Sequence, residues 1–82
     1  MRMVFTGKLE ETRKEIEANC KNAGIQMDKA VSYNTDVLFV GVRAQHFIDE
    51  GMKLSSKEIA AREKGVDIQY ITSIDEIAEY FI

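Results

Sequence analysis

Two short segments of the chain have side chains whose types and spacing suit the binding of an anion. Thr6, Gly7 and Lys8 follow an apolar run at residues 3–5, and Lys57 stands in the start signal of a predicted helix. A hydroxyl group, a backbone N–H that glycine leaves accessible, and an ammonium group at a helix start are donors that suit a doubly charged phosphate. Both segments are therefore candidates for binding an anion.

Residues that could support catalysis or hold a metal ion are few. His46 and Cys20 are the single histidine and the single cysteine of the sequence. Together they leave a zinc site short of ligands, and neither stands in a recognisable nucleophile motif. Cys20 lies on the apolar stripe of a predicted helix, which is typical of a small buried hydrophobic residue. We therefore predict no catalytic residue, no metal and no cofactor, and a binding module rather than an enzyme.

The length and charge of the chain favour the same class of protein. We expect residues 1–82 to form a single domain, and a domain of this size has a thin core with little room for a deep catalytic pocket. Eleven basic against fourteen acidic residues give a net charge of −3, which argues against a surface that coats nucleic acid. Any contact with an anion must be local. Without a long apolar run or a signal peptide, we expect an intracellular location and no membrane contact.

The strands that must position the two segments are predicted from short apolar runs. Residues 37–40 have the density of a central strand covered on both faces, and residues 25–27 alternate like a short edge strand. The remaining two strands are predicted near residues 3–5 and 66–71.

Three segments have the apolar spacing of helices. The first covers residues 9–23, with Thr12 counted in its apolar stripe and Gly24 as its C-terminal cap. The second starts at a capping box of Ser55 and Glu58 and ends at Gly65. Thr72 or Ser73 is expected to cap the last helix, whose inward face comprises Ile74, Ile77, Ala78 and Phe81. Residues 42–54 are ambiguous between a short helix and an ordered loop.

The resulting order, β-α-β-β-α-β-α, requires mostly parallel strands with right-handed crossovers. We expect an α/β fold, a three-layer α/β/α sandwich around a four-stranded parallel sheet. In such sheets ligands collect at the carboxyl ends of the strands, next to helix N-termini. The segment from Thr6 to Lys8 and the helix start at Lys57 are both predicted to lie there.

The same residues resemble a BRCT domain over nearly the whole chain. The likeness rests on Val-Phe-Thr-Gly-Lys-Leu at residues 4–9, Arg13 in the first helix, Ala-Gly at 23–24, Thr-Asp-Val-Leu-Phe-Val-Gly at 35–41, and Ser56-Lys57 followed by Ala61 and Gly65. It is closest to the BRCT domains of bacterial NAD-dependent DNA ligases and of the replication factor C large subunit. The chain departs from many members in having Ile77 where they have tryptophan, and in its longer connection over residues 43–54.

The resemblance implies a phosphate-recognition module of DNA replication or repair, within a DNA ligase or another repair protein. The hydroxyl, glycine N–H and helix lysine that hold a phosphate in the family fall on Thr6, Gly7 and Lys57. The basic residue that assists at a 5′-phosphorylated DNA end falls on Arg13, and Lys8 is expected on the neighbouring DNA backbone. A protein-interaction domain for a phosphorylated or acidic partner stays open as the alternative, and so does homodimerisation through the amphipathic first and last helices.

Each of these residues also has a simpler interpretation. Thr6 and Gly7 can form an ordinary turn, Lys57 can be a solvated helix lysine, and Arg13 can pair with Glu10 or Glu17. Two aromatic residues in predicted loops, Tyr33 and Phe47, can stack on a base or a partner, although packing is the commoner role.

Overall fold

A parallel sheet and three helices make up the part of the chain that the computed structural model describes, residues 1–42 and 55–81. The elements are β1 (Arg2–Thr6), α1 (Arg13–Asn22), β2 (Gln26–Asp28), β3 (Val37–Val40), α2 (Ser56–Lys64), β4 (Asp67–Tyr70) and α3 (Asp75–Tyr80). The strands lie in the order β2-β1-β3-β4, and every neighbouring pair is parallel. The predicted α/β fold with a four-stranded parallel sheet is confirmed.

The ambiguous connection was predicted as a short helix or an ordered loop over residues 42–54. Apart from Val42 it lies outside the described residues, as do His46 and Phe47. None of the helices in the two described ranges is long and apolar enough to cross a membrane.

Buried side chains hold helices against both faces of the sheet. On one face, side chains of β1 and β3 pack with Ile16 and Cys20 of α1 and with Ile77 of α3. On the other face, Val4, Leu38 and Val40 pack with Ala61 of α2. All four residues of β3 are buried because this strand has neighbours on both sides and helices on both faces.

Helix α1 is shorter than the predicted helix over residues 9–23. It begins at Arg13 because the Thr12 hydroxyl accepts a hydrogen bond from the Glu15 N–H at 3.3 Å, which makes Thr12 an exposed N-cap and not a member of the apolar stripe. Gly24 ends the helix as expected, with a φ of 76° and with its N–H bonded to the Lys21 carbonyl. Residues 7–12 are therefore left as a loop between β1 and α1.

Helices α2 and α3 differ in how well their starts could be predicted. Ser55 and Glu58 form the predicted capping box of α2. Helix α3 begins at Asp75, after Ile74, so neither Thr72 nor Ser73 occupies its N-cap position, although the Ser73 hydroxyl accepts the Asp75 N–H at 3.2 Å. The Glu76 carboxylate accepts the N–H groups of Thr72 and Ser73, at 2.7 and 3.0 Å, and these bonds lower its pKa. Of the four predicted inward residues of this helix, Ala78 is exposed.

A close backbone contact between two glycines joins the ends of β1 and β3. The Gly41 N–H donates to the Thr6 carbonyl at 2.8 Å, and Lys8 and Val42 then pair in the antiparallel sense. A Cβ on Gly7 would lie 3.0 Å from the Gly41 carbonyl, and a Cβ on Gly41 would lie 2.6 Å from the Lys8 oxygen. Gly7 also has a φ of 85°, which other residues disfavour. We name this pair of backbone segments the glycine crossing.

Alanine substitutions can separate two requirements of the glycine crossing, a left-handed backbone conformation and the absence of a Cβ atom. Gly65→Ala carries only left-handed backbone strain, about 1–2 kcal/mol, because nothing lies within 4 Å of its added Cβ. Gly7→Ala adds steric overlap to the same strain, so it should reduce the free energy of unfolding by more, by roughly another 1–3 kcal/mol. Gly41→Ala should lose stability through steric overlap alone, because Gly41 does not have a positive φ. Denaturant unfolding measures all three, and equal losses for Gly7→Ala and Gly65→Ala would contradict the crossing.

Candidate phosphate-binding site

The carboxyl end of β1 places Thr6 and Gly7 at the edge of the sheet where α1 and α2 begin. Thr6 pairs in register with Val40, and Val40 pairs with Tyr70, so these three residues form one row across the sheet. Because side chains alternate along a strand, Thr6 shares the face of Val4, which is the face that α2 covers. The Thr6 side chain is therefore on the same side of the sheet as Lys57.

Lys57 reaches from the first turn of α2 to the end of β1. Its Nζ donates a hydrogen bond to the Phe5 carbonyl oxygen at 3.3 Å, and its side chain is partly buried. Desolvation is the main reason that its pKa lies below the ordinary value of 10.5, and the nearby positive charge of Arg13 lowers it further. Lys57 is therefore partly buried and hydrogen-bonded to the end of β1, not fully exposed to solvent.

Arg13, the first residue of α1, supplies a second positive charge beside Lys57. Among the described residues the one ion pair joins Arg2 to Asp28, at 3.4 Å, so Arg13 does not pair with Glu10 or Glu17. Two cations thus share the carboxyl edge of the sheet, and neither is neutralised by a carboxylate of the described ranges.

Two hydrogen-bond donors are available next to these cations. Within residues 1–42 and 55–81, neither the Gly7 N–H nor the Thr6 hydroxyl has a hydrogen-bond partner. The next backbone N–H in the glycine crossing is already hydrogen-bonded, since the Lys8 N–H donates to the Val42 carbonyl at 2.9 Å. The turn therefore leaves one backbone donor and one hydroxyl open to a ligand.

A shallow groove of about 370 Å³ runs from this turn along the start of α1. Gly7, Lys8 and Arg13 line it, and so do Glu10 and Glu11. The structure therefore places Gly7, Lys8 and Arg13 in one groove, whereas Thr6 and Lys57 lie outside its lining, with Lys57 bonded to the Phe5 carbonyl at the end of β1.

Sequence reasoning missed the residue that fixes the first turn of α2. Glu58 was predicted only as half of a capping box, but it is 0% exposed. Its carboxylate accepts hydrogen bonds from the Ser55 N–H at 3.2 Å and from the Tyr70 hydroxyl at 3.0 Å. The Ser-x-x-Glu spacing signals the cap, whereas the burial depends on β4, which the spacing does not report. Glu58 thus anchors the helix turn that presents Lys57.

The other candidate residues play structural parts. Cys20 is buried as predicted, burial raises the pKa of its thiol, and its sulfur lies 3.5 Å from the sulfur of Met3. Among the described residues no cluster of histidine, cysteine or acidic side chains could hold a metal ion. The arrangement at the carboxyl edge offers binding groups for an anion.

Comparisons with known protein families, with curated proteins and with solved structures find no match to this chain.

The proximity of the two cations can be tested without any ligand. Because the positive charge of Arg13 lowers the pKa of Lys57, Arg13→Gln should raise the pKa of the Lys57 ammonium toward 10.5. Arg62→Gln removes the same charge from the last turn of α2 and serves as the control. NMR titration of the lysine side-chain resonances measures the pKa. If Arg13→Gln left the pKa where it is in the parent protein, the two charges would not share a site.

Proposed function

We propose that the chain is a BRCT-like module of DNA replication or repair that binds the 5′-phosphate of a DNA strand end or nick. The observation that carries the proposal is the Lys57 ammonium, held 3.3 Å from the Phe5 carbonyl and beside Arg13. Two like charges in a partly desolvated place repel each other, and a bound anion offsets that repulsion. In this proposal the module binds DNA and catalyses no reaction. Because its ligand is DNA, we expect an intracellular location.

The donors around the phosphate have distinct roles. The Gly7 N–H and the Thr6 hydroxyl donate hydrogen bonds to phosphate oxygens, and Lys57 adds a charge-assisted bond from the other side of the turn. Arg13 has the planar guanidinium that suits two oxygens at once. Lys8, which lines the groove with Gly7 and Arg13, contacts the next phosphate of the strand.

The charge of the ligand explains why a strand end is favoured over the interior of a strand. A phosphate monoester has a charge of about −1.5 to −2 at pH 7, whereas each internal phosphodiester has a charge of about −1. Two adjacent cations in an otherwise acidic protein therefore favour the terminal group. Glu10 and Glu11 beside the groove disfavour a broad contact with the DNA backbone.

The direct test is the affinity for a nicked or recessed DNA duplex with and without its 5′-phosphate. Removal of the phosphate should weaken binding by roughly 1.5–3 kcal/mol, the scale of hydrogen bonds to a charged group. Lys57→Met should remove most of this preference, because it keeps most of the length of the side chain and loses the charge. With about two or three phosphate contacts, the logarithm of the affinity should fall with the logarithm of salt concentration with a slope near −2 to −3.

Lys21→Met is the matched control, since it removes one lysine charge from the last turn of α1, far along the helix from Arg13. It should change the affinity for both duplexes equally and slightly. Equal affinity of the parent protein for the two duplexes would overturn the proposal. Tight binding of a phosphoserine peptide without any preference for phosphorylated DNA would favour the protein-interaction alternative.

A further inference from the structure

The connection between β2 and β3 crosses the α2 face of the sheet and presents Tyr33 there. Val31 of this connection packs against the apolar cluster under α2. Residues 32–35 then form a turn in which the Thr35 N–H donates to the Ser32 carbonyl at 3.1 Å and the Thr35 hydroxyl accepts the Ser32 N–H at 2.9 Å. Thr35 is buried, so the turn is anchored on the core. Tyr33 occupies the first central position of this turn.

The ring of Tyr33 is exposed although the turn that carries it is fixed by hydrogen bonds. The residue is 80% exposed, and the Lys64 ammonium lies 5.5 Å from the centroid of its ring. At such an exposed site a cation over an aromatic ring contributes little to the stability of a fold. A ring whose backbone is already fixed loses little conformational freedom when a ligand covers it. The setting of Tyr33 therefore favours binding over packing.

Lys64 connects this turn with the proposed phosphate pocket along α2. It stands two helical turns after Lys57, so both lysines lie on the flank of the helix that faces β1, and both are half-buried. Their separation along the helix axis is about 10 Å, which is about three nucleotide rises of a DNA strand. A strand of nucleic acid can therefore follow this flank from Lys57 to Tyr33.

The carboxylates near this end of α2 do not neutralise Lys64. Asp36 accepts the Arg2 N–H at 2.7 Å, and Asp28 pairs with the Arg2 guanidinium at 3.4 Å. Glu63, next to Lys64 in the chain, makes no ion pair with it, and neither does any other carboxylate of residues 1–42 and 55–81. The Lys64 ammonium therefore has donors for an anion beside the Tyr33 ring.

We propose that Tyr33 and Lys64 form a second DNA contact, in which an unpaired base stacks on the Tyr33 ring and Lys64 binds the neighbouring phosphate. Aromatic rings beside cations are the usual means of holding single-stranded nucleic acid, because every base has a face that can stack. The inference takes DNA as the ligand from the proposed function and adds a contact that the phosphate pocket does not include.

The second contact belongs to the strand opposite the 5′-phosphate. In the proposed function the phosphorylated strand continues past Lys8 and Arg13, which line the groove at the start of α1. Helix α1 lies on the other face of the sheet from α2. Nucleotides that reach Tyr33 therefore come from the complementary strand, where it extends beyond the recessed end as a single-stranded 3′ overhang.

The test compares two DNA duplexes that share the same recessed, phosphorylated 5′ end. Each has a 3′ overhang of about six nucleotides on the complementary strand, twice the separation along α2. In one duplex the overhang has its bases, and in the other its nucleotides are abasic. The parent protein should bind the abasic duplex roughly 5- to 150-fold more weakly, the range of one base–aromatic stack. Tyr33→Leu should bind both duplexes as weakly as the parent protein binds the abasic one.

Matched variants separate the stack from the charge and from the fold. Tyr33→Phe keeps the ring and should bind like the parent protein. Lys64→Met should weaken binding to both duplexes and reduce the slope of log affinity against log salt concentration by about 0.7. Arg62→Met removes a charge from the same turn on the opposite flank of α2, and should leave the slope and the discrimination nearly unchanged. Thermal unfolding checks every variant, and if Tyr33→Leu does not fold, the two duplexes decide the question with the parent protein.

The outcomes distinguish the second contact from the phosphate pocket. Discrimination against the abasic overhang that Tyr33→Leu abolishes supports the second contact. A preference for the 5′-phosphate with equal binding of the intact and abasic duplexes overturns the second contact and leaves the pocket. Discrimination that depends on Tyr33, without any preference for the 5′-phosphate, overturns the pocket alone. Discrimination that Tyr33→Leu retains assigns the base to another residue and overturns the second contact.

Discussion

The close approach of the backbone at Gly7 and Gly41 is the constraint on which the rest of the site depends. It lets the chain turn directly after β1, so that Lys8 pairs with Val42 while the Thr6 carbonyl is satisfied by Gly41. The same turn leaves the Gly7 N–H without an acceptor in the described ranges. A side chain at either glycine would separate the two segments. The strand end that Lys57 reaches, and the donors beside it, exist only because both positions lack a Cβ.

The electrostatics of the chain follow from this geometry. An overall charge of −3 argues against a general attraction to nucleic acid, yet Lys57 and Arg13 lie close enough for the charge of Arg13 to lower the pKa of Lys57. Helices α1 and α2 start on opposite faces of the sheet, and their first turns bring one cation each to the end of β1. A small acidic domain can in this way hold one focused positive site. In the proposed function, such a site binds weakly alone and gains from a second contact supplied by another domain.

Local signals accounted for the parts of the fold that could be predicted. The central strand Val37–Val40 was visible because a strand buried on both faces must be apolar throughout. The capping box of α2 and the glycine that ends it were visible because both depend on a few neighbouring residues. These local features were enough to predict the α/β class and a parallel four-stranded sheet.

Features that depend on distant residues could not be read in this way. Thr12 falls at the spacing of the apolar stripe of α1, but it is the N-cap of that helix. Its spacing is compatible with both positions, and only the observed start of the helix distinguishes them. The N-cap position of α3 is Ile74; the Ser73 hydroxyl before it accepts the Asp75 N–H, and Glu76 inside the helix accepts the Thr72 and Ser73 N–H groups. The burial of Glu58 depends on its contact with β4, and the contact between Gly7 and Gly41 depends on the pairing of β1 with β3. Local sequence patterns do not report either arrangement. The topology of the predicted sheet pointed to the segments at Thr6–Lys8 and Ser55–Lys57, and the resemblance to a BRCT domain supplied the phosphate roles and Arg13.

The backbone amide of Gly7 gives the most direct measurement of the central claim, that the turn after β1 is a phosphate site. In a ¹⁵N-labelled sample titrated with a 5′-phosphorylated oligonucleotide, the Gly7 amide proton should move downfield as it donates to a phosphate oxygen. The amides of Gly24 and Gly65, at helix ends away from the pocket, should stay in place, and the 5′-hydroxyl oligonucleotide should leave Gly7 unchanged. A Gly7 resonance that does not move, or that moves equally with both oligonucleotides, would contradict the account.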